Sequence, residues 1–215
     1  METPQLSSRA KTKTMLDRAA GQSPSRRAFR GRWHTGLLHL FILGALAAAP
    51  VLGQNNSTSE YEIKGAFLFH FAQFVDWPPE TFKDATSPLT FCTLGEGPFH
   101  GALTASLSGK TIGTRPLRVL HLKTSQESQG CQVLFLAASD KKMIPVVLAG
   151  VKGQPVLTVG ETEHFVLDGG MIGFLTEENK IRFAINLQAA GKARLKISSR
   201  LLSLAKSVVG APGGT

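Results

Sequence analysis

The sequence predicts a single α/β domain in three layers: a mainly parallel sheet with helices on both faces and a C-terminal antiparallel β-hairpin. Short apolar, β-branched runs alternate with helical segments of about ten residues, which is the pattern of βαβ units. Two further runs are separated only by the polar turn Glu177-Glu178-Asn179, as in a hairpin. Of the 215 residues, 42% are hydrophobic and only 18% charged, enough apolar material for one domain with a core and hardly for two.

The leader comes first. Arg26, Arg27, Arg30 and Arg32 precede the apolar run from Leu37 to Ala49, which is too short for the roughly 18–20 residues that span a bilayer and contains His39. Residues 1–53 are therefore expected to be an export signal, cleaved after Gly53, with Met15 as an alternative start. The segment Ser25-Arg26-Arg27-Ala28-Phe29 resembles the twin-arginine export motif, although Arg30 stands where an apolar residue is usual, so Sec and twin-arginine routes both stay open. No cysteine stands directly after the apolar run, which argues against a lipid anchor. The net charge of +9 would suit a nucleic-acid binder, but residues 1–53 carry +6 of it and residues 54–215 only +3. The basicity belongs to the leader, and no nucleic-acid partner is expected.

Residues 54–59 form a polar linker, 60–209 the domain and 210–215 a flexible tail. Tyr61 to Trp77 reads as a buried helix: Ile63, Phe67, Phe71, Phe74 and Val75 keep near-helical spacing, Lys64, Gln73 and Asp76 fall elsewhere, and Pro78-Pro79 stops it. Leu89–Leu94, Leu117–Leu122 and Cys131–Ala137 are strands. Phe99–Leu107 is a helix, and Asp140–Val151 a second, with Pro145 disturbing its first turns. Leu157–Val159 and Met171–Leu175 are strands closed or opened by glycines. Ile181, Phe183 and Ile185 alternate with Arg182 and Ala184 as in a half-buried strand. From Leu187 the period is helical, and a final helix is expected over Leu201–Val209, capped by Ser198 or Ser199 and ended by Gly210 and Pro212.

Little in this pattern carries catalysis. Gly95, Gly97 and Gly101 miss the G-x-G-x-x-G spacing by one, so a tight strand–helix turn is the expectation rather than a dinucleotide site. His70, His100, His121 and His164 show no metal-ligand spacing, and His70 and His121 read as packing residues. No G-x-S-x-G elbow is present. Neither an enzyme activity, a cofactor nor a metal is expected. Cys92 and Cys131 lie in the exported part on strands that would be neighbours, so a disulfide follows.

The aromatic helix ending in FVDWP and the order GGMIGF, polar turn, RFAIN, AA and ISSRLLSLA resemble the YfiR-like family of periplasmic repressors, over roughly residues 60–206. The resemblance implies a non-enzymatic periplasmic protein. Its partner would be the periplasmic sensor domain of an inner-membrane diguanylate cyclase, held inactive so that cyclic di-GMP and biofilm formation fall. Cysteine pairing is linked to folding or activity in that family, which implies a redox-sensitive role beside the plain structural one. Glu177, Arg182, Asn186 and Arg200 fall within the resembling stretch and are the candidate ligand- or partner-binding residues. Asn186 could equally be a cap, and the arginines could pair with Glu177 and Glu178. The C-terminal helix is the first candidate contact face. A small-molecule site near Gly95 to Phe99 is the alternative, and a homodimer stays open.

Overall fold

The computed structural model describes residues 56–210, so residues 1–53 with the expected export signal, residues 54–55 and the expected tail beyond 210 lie outside the described residues. Its centre is a sheet of eight strands in the order β10-β8-β7-β6-β5-β2-β4-β3. In chain order these are β2 (Leu89–Leu94), β3 (Thr111–Ile112), β4 (Arg115–Leu122), β5 (Val133–Leu136), β6 (Leu157–Gly160), β7 (Ile172–Glu177), β8 (Lys180–Asn186) and β10 (Ser207–Val209). Strands β4, β2, β5, β6 and β7 pair in parallel, and β8 turns back against β7. A second, two-stranded antiparallel sheet joins β1 (Val75–Asp76) to β9 (Lys196–Ile197).

Two apolar layers explain why the central strands are continuous hydrophobic runs rather than alternating ones. Every residue of β2, β5 and β6 is buried, as parallel strands covered on both faces must be. On one face, Phe91, Phe135, Val159 and Phe174 pack beneath Leu68 and Phe71 of α1 (Asn56–Gln73) and Leu103 of α2 (Phe99–Leu107). On the other, Cys92, Leu134 and Leu136 pack beneath Ile144 and Val147 of α3 (Ile144–Gly150) and beneath Phe165. The expected three-layer α/β arrangement is the observed one.

Phe165 shows how closely the second face is fitted. It is fully buried, and a Cβ at either Gly160 or Gly170 would overlap its ring. The segment 161–170 can therefore fold back over the sheet only because both positions lack side chains. The hairpin is tighter than expected: Glu177 pairs with Lys180 as part of the ladder. Only Glu178 and Asn179 form the loop, with φ of 48° and 61°, the left-handed pair that a two-residue turn of matching twist requires.

Four expectations need correction. The first helix begins at Asn56, inside the segment read as linker, and ends at Gln73; Val75–Asp76 instead pairs with Lys196–Ile197. Its buried face is also rotated, since Ile63 is 45% exposed while Lys64 is 5% exposed. The helix expected over 140–151 starts only at Ile144, after a 3-10 turn at Ala138–Asp140. Pro145 sits in its first turn, where a missing N–H costs nothing, and so opens the helix rather than disturbing it. Finally, the long C-terminal helix does not form. Ser198 caps a single turn, α5 (Ser199–Leu202), by accepting from the Leu201 N–H. The chain then extends so that Ser207–Val209 adds a parallel strand to the free edge of β8. Ladder hydrogen bonds to an open edge outweigh the helical preference of a short leucine-rich segment.

Cys92 and Cys131 are bonded, with Cα atoms 5.9 Å apart. Their bond joins the middle of β2 to the segment just before β5 across 39 residues.

Two stability measurements test this packing. Gly170→Ala should lower the unfolding free energy by about 1–3 kcal/mol through overpacking against Phe165. Gly101→Ala, on the open side of α2 with no atom within 4 Å of a new Cβ, should be neutral or gain up to about 1 kcal/mol in the same denaturant titration. Replacing both cysteines with serine should cost about 3–4 kcal/mol by freeing the closed loop in the unfolded chain, read as a lower denaturant midpoint than that of the oxidised protein.

Candidate functional site

Ligands in open α/β sheets bind at the carboxyl ends of the strands, where strand order reverses. Here that point lies between β2 and β5, because β4 and β5 leave on opposite sides of β2. The chain itself closes the crevice. Gly95 has φ +109°, and a Cβ there would come 2.7 Å from the Ala137 Cβ and 2.9 Å from the Asp140 carboxylate. The Ser139 hydroxyl donates to the Glu96 carbonyl across the gap, at 3.1 Å. These approaches narrow the crevice between β2 and β5 beside Gly95–Phe99, where the sequence-based alternative placed a small-molecule site.

One strand further along, the same end of the sheet holds a buried charge cluster. Lys64 projects from the inner face of α1, and its Nζ lies 2.6 Å from both Glu161 Oε2 and Glu60 Oε1. It also stands 5.1 Å from the Tyr61 ring centroid and 5.9 Å from that of Phe174. The other oxygen of Glu161 accepts the Ala138 N–H at 3.0 Å. Burial pulls the Lys64 pKa down, but hydrogen bonds to Glu161 and Glu60 and their charges more than offset it, so the ammonium is held above its ordinary value. Burial, and then the Glu161 charge, push the Tyr61 phenol upward. A pocket of about 350 Å³ opens beside the cluster, bordered by Glu163, Phe174 and Thr176.

A second pocket, of about 390 Å³, lies at the opposite end of the strands, between α3, the 167–169 turn and α4 (Leu187–Lys192). Leu148, Leu167 and Met171 give it an apolar wall, with Lys152 and Lys192 among its lining residues. Asn186 stands at its edge in two structural roles. Its Oδ1 accepts the Ala189 N–H and so caps α4, and its Nδ2 donates to the Val166 carbonyl at 2.7 Å. The side chain thus ties the segment carrying Leu167 to α4.

The four candidate binding residues do not converge. Glu177, at the hairpin end of β8's partner strand, is paired with Lys206 at 3.0 Å rather than with an arginine. Both side chains are about half exposed, so the pair contributes roughly 0–1 kcal/mol. Arg182 is exposed beside Leu175 on the ladder and makes no ion pair among the described residues. Arg200 lies on α5 over the Phe74 ring, 5.4 Å from its centroid. Asn186 alone lines a pocket.

The histidines also differ from expectation. His70 and His121 are exposed rather than packed. His70 pairs with Gln73, whereas His121 and His100 share the Thr93 hydroxyl. Burial, and then the neighbouring His121, hold the His100 pKa below its ordinary value. The pairing of Lys64 with Glu161 is a correction, since the sequence pattern sets Lys64 off the apolar face of its helix and makes Glu161, beside Glu163, a solvated loop residue. The available signal was Glu60 one turn before a lysine within an aromatic stripe, the spacing at which a buried ammonium keeps one counter-charge on its own helix.

The Lys64 cluster makes a signed prediction. Because the folded-state pKa of Lys64 lies above 10.5, its stabilisation is complete below that pH and is lost as pH rises through the folded value. The thermal midpoint should therefore fall more steeply above pH 10.5 in the wild type than in Lys64→Met. Glu161→Gln should cost about 3 kcal/mol near neutral pH, since it leaves a buried ammonium with a single half-exposed partner.

Among the described residues, no helix is long and apolar enough to cross a membrane. Among solved structures, the chain is similar to a conserved domain protein from Vibrio cholerae, at 12% identity and a TM-score of 0.47, covering 69% of this chain and 60% of that one. It is also similar to an ABC domain from Streptococcus pneumonia in complex with L-Trp, at 9% identity and a TM-score of 0.42, covering 56% and 55%. The chain thus spans less than two thirds of either structure. The match that assigns a family runs from Tyr61 in the first helix through every strand of the sheet except β10 and includes the Glu177–Lys206 pair. Residues 61–206 fit the family described as YfiR/HmsC-like, and the protein belongs to that family.

Proposed function

We propose that this protein is an exported regulator, cleaved near Gly53, that binds the periplasmic sensor domain of an inner-membrane diguanylate cyclase and holds the enzyme inactive. The observation that carries the reading is the YfiR/HmsC-like match over residues 61–206. Repression of this kind needs no catalytic group. It needs differential affinity: the off conformation of the cyclase must bind several kcal/mol more tightly than the on conformation for the balance to shift from mostly active to mostly inactive. Lower cyclic di-GMP and less biofilm follow.

The proposed contact face is the surface around α3 and the 161–170 segment. Met143, Val146 and Leu167 are 42%, 56% and 71% exposed, three of the five large apolar side chains exposed among the described residues. Asn186 supports this surface from below through its hydrogen bond to Val166. Glu177, Arg182 and Arg200 lie on other parts of the domain and are secondary candidates. A small-molecule ligand is the second reading, favoured by the 390 Å³ pocket that Leu167 borders.

Deleting the gene should raise intracellular cyclic di-GMP, and the purified oxidised protein should capture a cyclase from membranes of its own cell. Leu167→Asp and Val146→Asp should each lose capture with unchanged circular dichroism. No cyclase captured and no change in the nucleotide would overturn the regulator reading. Capture undiminished by either substitution would move the contact face elsewhere.

A further inference from the structure

Thr93, His100 and His121 come from three elements, β2, α2 and β4, and meet at one point. The Thr93 hydroxyl lies 3.1 Å from the Nδ1 of each imidazole, and the two ring centroids are 5.2 Å apart. One hydroxyl proton serves only one acceptor. In the neutral cluster at least one imidazole therefore donates from Nδ1 to the Thr93 oxygen, and both Nδ1 atoms face that hydroxyl.

That spacing has a chemical meaning. Two imidazoles bound to one tetrahedral zinc, with Zn–N of about 2.0–2.1 Å, hold their ring centroids roughly 5 Å apart. The surroundings leave room for the remaining ligands: His121 and Gly101 are exposed, His100 is half-buried, and only Thr93 is enclosed. Neither imidazole has a carboxylate partner among the described residues. Neutral imidazole suits Zn²⁺, Cu²⁺ and Ni²⁺, whereas Mg²⁺ and Ca²⁺ want oxygen donors.

We propose that His100 and His121 form a two-imidazole site for a divalent transition-metal ion of the Zn²⁺ or Cu²⁺ class, bound through Nδ1 beside the Thr93 hydroxyl, with water completing the coordination. With two protein nitrogens rather than the four ligands of a structural zinc site, the ion exchanges with solvent. Binding ties the first turn of α2 to β4 across β2, the strand that also carries Cys92. It adds a crosslink without changing the fold.

The test is isothermal titration of the full chain, stripped of metal by a chelator, with ZnCl₂ and separately with CuCl₂. The wild type should show a site that His121→Ala and His100→Gln each weaken by at least about tenfold, while His164→Ala leaves it unchanged. Because His121 is exposed, its replacement spares the core, and circular dichroism checks each variant. The copper-loaded protein should give an electron paramagnetic resonance spectrum with coupling to two nitrogens, reduced to one or none in His121→Ala. A wild type without a titratable site, or a His100/His121 double variant that titrates as the wild type does, overturns the proposal.

Discussion

The ammonium of Lys64 constrains the rest of the domain. An unpaired charge at that depth would cost several kcal/mol, so α1 can dock on the sheet only where counter-charges wait for it. Glu60 travels on the same helix, but Glu161 belongs to the segment after β6. Since the second oxygen of Glu161 holds the Ala138 N–H, one carboxylate sets the position of α1, the exit of β5 and the exit of β6 together. The aromatic layer of Phe67, Phe71, Phe174 and Phe183, with ring centroids 4.9–6.0 Å apart, supplies most of the apolar contact beneath. It tolerates sliding in a way that the charge cluster does not.

The parts of the fold legible in the sequence were those whose burial is uniform. Strands β2, β5 and β6 are apolar on both faces, and α2 fell at its observed limits because Pro98 and the Ser108-Gly109 pair punctuate it. Burial that depends on partners distant in sequence was hidden. Lys64 looked like a surface residue because nothing within one turn reveals Glu161. Val75–Asp76 and Ser207–Val209 looked helical because their strand partners lie more than twenty residues away. The disulfide was legible, since two cysteines on strands expected to be neighbours leave one pairing. The meeting of His100 and His121 was not, because it requires knowing that β2 and β4 are neighbours and that α2 returns over them.

The same geometry explains why the crevice usual for open α/β sheets is not where this molecule offers room. Gly95, Ala137 and Asp140 approach too closely at the strand switch, and the neighbouring space is taken by the protein's own lysine and glutamates. Open volume lies beside that cluster, in the pocket of about 350 Å³, and at the amino ends of the strands, in the pocket of about 390 Å³ bordered by the 167–169 turn.

Strand β10 gives the chain a distinct biosynthetic vulnerability. Until residues 207–209 arrive, β8 presents a bare row of amides and carbonyls beside the buried Phe183–Ile185 segment, the kind of edge that templates unwanted pairing between chains. Premature termination or trimming by a protease before Ser207 would thus release a nearly complete sheet with β8 as an open edge in addition to β4 beyond Pro116, and holding that edge apart from other chains becomes a task for chaperones.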